Sequence, residues 1–164
     1  MNIVEITSSI TRPNDTAQYT IGDVWANSTS APTLATLTNC VSGGGGSGRI
    51  VEAVLVDSAN VTPAGDFEVW IFNDTVTQFN DNAPLALSDA ECLKVVTVLP
   101  FSTGYVGNTG SNAAGNRVYV TSAQDKEFRC KTGVRDLYFM IVARNAYVPV
   151  ANETLTLLIH IEQT

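Results

Sequence analysis

The stretch from Arg49 to Asp74, RIVEAVLVDSANVTPAGDFEVWIFND, constrains this chain more than any other. In its first run Val51, Ala53 and Leu55 fall on one side of an extended backbone. Ile50, Glu52, Val54 and Val56 fall on the other. In the second, Phe67, Val69 and Ile71 alternate with Glu68, Trp70 and Phe72. Between the runs stand Asn60, Pro63, Gly65 and Asp66, residue types that turn a chain. Period-two placement of β-branched and aromatic residues around such a turn predicts a β-hairpin. Both faces of both runs carry apolar residues, so the hairpin is expected to lie centrally and to be covered twice.

The rest of the chain reads the same way. Thr154–Glu162 (TLTLLIHIE) places Leu155, Leu157, Ile159 and Ile161 on one face, a one-sided strand. Leu137–Arg144 (LYFMIVAR) is apolar on both faces and bounded by Gly133, Asp136, Asn145 and Pro149, which predicts a buried central strand. Tyr19–Trp25, Thr33–Val41, Val95–Phe101, Arg117–Thr121 and Glu127–Cys130 supply further short strands. Asn2–Thr7 alternates weakly, as an edge strand or an extended arm would. One helix is expected, about Asp89–Lys94, opened by a capping box of Ser88 and Glu91. Gly43–Gly48, within SGGGGSG, predicts a flexible loop. Many short strands with Gly- and Asn-rich loops indicate an all-β fold, an antiparallel β-sandwich or jelly roll with one short helix. Residues 1–164 are expected to form a single domain, with residues 1–12 as an extended N-terminal arm.

Composition narrows the function classes. Only 15% of residues are charged and the net charge is −7, with no cluster of Lys or Arg. Nucleic-acid binding needs a basic stripe to neutralise phosphates, so no nucleic-acid partner is expected. The first ten residues predict no secretory leader. The longest apolar run, Leu137–Ala143, is far short of the roughly 20 residues that span a bilayer, so no membrane partner is expected either. Cys40, Cys92 and Cys130 have neither metal spacing nor a disulfide framework and read as small buried thiols in a reducing compartment.

Reactive constellations are scarce. Nucleophilic catalysis needs a base beside the nucleophile, and the sole imidazole, His160, lies inside a strand. Gly43–Arg49 echoes a phosphate loop but lacks the Lys-Ser/Thr pair and leads into a strand, not a helix. Asp74, Asn80, Asp81 and Asn82 are oxygen donors that calcium accepts and that turns use equally. Glu52 and Glu68 could pair as glycosidase carboxylates or line a solvated face. Trp25 and Tyr105 are candidate ligand-facing aromatics for a sugar. No cofactor or metal is implied, and the chain is not expected to be an enzyme.

Four stretches carry a resemblance: TRPNDTAQYTIGDVW (Thr11–Trp25), DSANVTPAGDFEVWIFND (Asp57–Asp74), NDNAPLALSDAE (Asn80–Glu91) and VARNAYVPVANETLTLLIHI (Val142–Ile161). Together they resemble a family of small structural proteins of tailed bacteriophages. The resemblance implies a capsid cement or decoration protein that binds the major capsid protein on the exterior of the virion. It also implies synthesis in the host bacterial cytoplasm and self-association as a dimer or trimer on a capsid axis. An alternative within the virion is a tail or fibre protein with a carbohydrate-binding, host-receptor role. Expected interface residues are Ile3, Val4, Ile6 and Ile10 on the arm, Arg12 at its end, and Tyr147 and Val148 in the NAYVPV segment.

Overall fold

The alternation of Thr154–Gln163 becomes β12, whose Leu155, Leu157, Ile159 and Ile161 are buried on one face. Each such side chain contributes roughly 1.5–3 kcal/mol by leaving water. A strand that is apolar on one side only must lie in a sheet with one wet face, and β12 does. It pairs on one edge with β1 (Asn2–Thr11) and on the other with β4 (Ser47–Asp57). The computed structural model describes residues 2–102, 104–108, 115–121 and 125–164.

Beyond β4 come β9 (Asn116–Val120) and β8 (Tyr105–Asn108), giving a first sheet in the order β1-β12-β4-β9-β8, with β10 (Lys126–Arg129) also on β4. The second sheet runs β6-β2-β11-β5-β7, with β3 also on β11. Its strands are β2 (Asp23–Trp25), β3 (Ala35–Leu37), β5 (Phe67–Phe72), β6 (Ala83–Pro84), β7 (Val95–Phe101) and β11 (Leu137–Ala143). All pairings are antiparallel. Setting aside the minor strands β3, β6, β8 and β10, the eight that remain wind first-eighth-third-sixth in one sheet and second-seventh-fourth-fifth in the other. That double Greek key is the jelly roll.

The expected hairpin is overturned. β4 and β5 do not form a hairpin; they lie in opposite sheets, and Ser58–Asp66 carries the chain from one layer to the other. Alternation shows which face of a strand is buried and says nothing about its partner. The connection is longer than the two to five residues that close a hairpin, and Ser58 bonds Thr154 at the start of β12.

The helix α1 (Asp89–Cys92) has the expected capping box: Glu91 N donates to Ser88 Oγ, and Ser88 N donates to Glu91 Oε2. Glu91 Oε1 also accepts from Thr77 N at 2.6 Å, which pins the connection that precedes the helix. The glycine loop is held in place. Gly45, in the left-handed region at φ +81°, donates its N–H to Val134 O, and Gly46 O accepts from Cys130 N. Of the three thiols, Cys40 and Cys130 are buried as expected while Cys92, on the helix, is exposed.

Candidate interaction surface

Antiparallel register fixes which side chains share the outer face of the first sheet. One cross-strand row is Thr7, Leu158, Val54 and Val120. The next is Ser9, Thr156, Val56, Val118 and Tyr105. Leu158, Val54, Val120, Val56, Val118 and Tyr105 therefore make a contiguous apolar patch. Val120 is 51% and Tyr105 70% exposed. On the β1 side the patch gives way to hydroxyl pairs, Ser9 with Thr156 at 2.8 Å and Thr11 with Thr154 at 2.7 Å. At one end it is bounded by a third row, Glu5, His160 and Glu52, in which the imidazole lies 3.3 Å from one carboxylate and 3.4 Å from the other.

The second sheet is finished differently. Val24, Ala26 and Val142 on its outer side are buried beneath Trp70, Phe79 and Leu85. Phe79 and Leu85 come from the connection between β5 and α1, so the chain covers this sheet itself. This is why β11 is buried on both faces while β12 is buried on one. The asymmetry leaves the first sheet as the apolar face without a cover among the described residues.

Beside the patch, Ser47–Arg49, Glu127–Arg129, Glu162 and Thr164 line a cleft of about 620 Å³. Its two cations are already engaged: Arg49 donates to Glu162 Oε2 and lies 2.5 Å from Asp125 Oδ1, and Arg129 Nε donates to Gly45 O at 3.2 Å.

The structure scatters the expected interface residues. Asn2–Thr11 is paired along its length with β12, so the arm is a strand of the chain's own sheet. Ile6 and Ile10 point into the core, Val4 packs against it, and Ile3 stays 57% exposed on the outer face beside Glu162. Arg12 is buried. Its Nε donates to Tyr19 OH at 3.2 Å and its Nη2 reaches Asp15 Oδ1 and Asp81 Oδ2. Tyr147 is buried in the aromatic core, stacked on Tyr19 at 5.4 Å, while neighbouring Val148 is 52% exposed. Trp25 is buried as well, stacked on Tyr19 at 5.4 Å and nearly parallel to Tyr147 at 6.4 Å with Phe67 edge-on, so it faces no ligand. A tryptophan next to a loop looks exposed in sequence; here β2 turns it between the sheets. Of the two aromatics, only Tyr105 is at the surface.

Of the four oxygen donors Asp74, Asn80, Asp81 and Asn82, the two carboxylates are engaged, while Asn82 Oδ1 is buried without a partner among the described residues. Asp81 Oδ1 accepts from Tyr19 OH at 2.6 Å and from Ala26 N at 2.9 Å, while Asp74 pairs with Lys131 at 2.8 Å. Glu52 and Glu68 stand on the outer faces of opposite sheets and cannot flank one glycosidic bond.

No protein-family model matches the sequence, and no curated protein is similar to it. Among solved structures, the chain is similar to one in the acid-stable capsid of Helicobacter pylori bacteriophage KHP30. That pair is 11% identical, with 98% of this chain and 91% of that one covered and a TM-score of 0.35. A chain of Cocksfoot mottle virus is 14% identical over 96% of this chain and 91% of its own, at a TM-score of 0.32. A chain of Desmodium yellow mottle tymovirus is 12% identical over 98% and 86%, at 0.31. All three neighbours come from structures of viruses.

Proposed function

We propose that this chain is a non-enzymatic capsid cement or decoration protein of a tailed bacteriophage, binding the major capsid protein through the outer face of its first sheet. The observation that carries the reading is the unequal finish of the two sheets, one covered by the chain itself and the other presenting Leu158, Val54, Val120, Val118 and Tyr105 to solvent. Contiguous exposed apolar patches with a polar rim are a mark of protein-binding surfaces. The hydroxyl pairs and the Glu5–His160–Glu52 row supply that rim. The sequence resemblance to phage structural proteins favours a capsid shell as the partner. A rigid jelly roll suits a clamp, which stabilises a shell by engaging only its assembled state. Repeated contacts of this kind close into dimers or trimers on a local axis of the capsid exterior. The host-glycan alternative, in a tail or fibre, retains only Tyr105 of its two aromatics.

The test uses shells of the encoding phage, prepared with and without the protein. Shells lacking it should open at a lower temperature, and adding back the wild type should restore the difference. The variants Val54→Asp and Val120→Asp should keep their own melting temperature yet fail to bind. Shells equally resistant in both preparations, or variants that bind as well as the wild type, would overturn the reading.

A further inference from the structure

We propose that the buried carboxyl groups of Asp57 and Glu153 share one proton and act as an alkali-sensitive latch, holding the turn before β12 against the end of β4 while the proton is present. The inference is independent of what the protein binds. Asp57 is the last residue of β4 and Glu153 immediately precedes β12; both are buried, and their carboxyl groups are in hydrogen-bonding contact. Each has one oxygen committed to the backbone. Asp57 Oδ1 accepts from Ala59 N at 2.9 Å, and Glu153 Oε2 accepts from Val150 N at 2.5 Å. Glu153 Oε1 has no hydrogen-bond partner among the described residues when both groups are counted as acceptors only. Two ionised carboxylates in contact away from water repel each other and lose hydration. A proton on one of them turns the same contact into a short O–H···O⁻ bond and gives that oxygen a partner.

Of the nearby cations, Arg117, opposite Asp57 on β9, spends its Nη atoms on Asn60 Oδ1 at 2.7 Å and Gly104 O at 3.1 Å; its Nε is buried without a partner among the described residues, and its charge favours the ionised form of Asp57 and so leaves the proton with Glu153. Arg12, at the end of β1, serves Tyr19, Asp15 and Asp81. The other groups facing the pair are phenols, with one more carboxylate beyond them. Tyr119 of β9 donates to Gly65 O, Tyr147 has a buried hydroxyl without a partner among the described residues, and Asp66 adds negative charge near Tyr119. Burial, and then the Asp57 charge, pushes Glu153 well above the ordinary carboxyl range, and burial raises Asp57 too; the two titrate as a unit. The folded state thus keeps a proton that the unfolded chain releases above its ordinary value of about 4. The stability this provides is complete in mild acid and is lost as pH rises through neutrality.

Thermal melting at constant ionic strength tests the latch. The wild-type melting temperature should fall by about 5 °C or more between roughly pH 5 and pH 9. Glu153→Gln, neutral at every pH and able to donate an amide N–H to Asp57, should lose at least half of that dependence. A flat or rising wild-type profile, or a variant with the wild-type slope, would overturn the proposal. If the variant does not fold, carbon-13 NMR titration of the wild-type carboxyl groups decides. One of the two should titrate above about pH 6, and both titrating below about pH 5 would sink the latch.

Discussion

The indole N–H of Trp25 donates to the main-chain carbonyl oxygen of Ile10 at 3.3 Å, joining the second sheet to the edge strand of the first. Trp25 sits on the three-residue β2, too short to be held by its own ladder, and the side chain fastens the strand instead. Around it Tyr19 and Tyr147 stack and Phe67 meets it edge-on at 6.0 Å.

Trp25→Phe removes the donor and keeps most of the apolar contact, so unfolding by denaturant should show a loss of about 1–2 kcal/mol. Trp25→Ala empties the space between the sheets and should cost about 3–5 kcal/mol. A loss below 1 kcal/mol for the alanine variant would mean that the aromatic cluster does not hold the two sheets together.

Arg12 and Asp81 form a buried ion pair at 3.3 Å, with the Arg12 guanidinium 5.3 Å from the Tyr19 ring centre and 5.8 Å from that of Trp25. Removing one partner strands a charge in the core. Arg12→Met alone should destabilise by about 3–5 kcal/mol, and Arg12→Met combined with Asp81→Asn should recover part of that loss. The double-mutant cycle is the measurement. Additive losses would show that the pair is not coupled.

Strand content and burial were legible in the sequence because period-two alternation reports burial directly. Leu155 to Ile161 and Leu137 to Ala143 came out as one-sided and two-sided strands for that reason. Pairing was not legible. The alternation in Arg49–Asp74 satisfies a hairpin and two strands in opposite sheets equally, and only the length of the Ser58–Asp66 connection speaks against the hairpin. The helix start was readable because the Ser88–Glu91 box is a local device. The rigidity of Gly43–Gly46 was hidden because its partners, Cys130 and Val134, are distant in sequence. The surface patch was hidden for the same reason. Val54, Val120 and Leu158 come from three strands and share a face only through register. Asp57 and Glu153 are far apart in the chain, and separately each looks like an ordinary turn carboxylate.

The two outer faces should respond oppositely to the same chemistry. Phe79 and Leu85 are half-buried over Val24, Ala26 and Val142, so replacing both with Ser exposes apolar surface that the fold keeps covered. That pair of substitutions should cost about 2–3 kcal/mol in total, with increased binding of a hydrophobic dye to the folded protein. Val54 and Val120 already face solvent, and replacing both with Ser should cost less than about 1 kcal/mol each and lower dye binding. Denaturant unfolding of the two double variants side by side makes the comparison. Equal losses, or a rise in dye binding on removing Val54 and Val120, would show that the first sheet is covered too, and the docking face would have to be sought elsewhere.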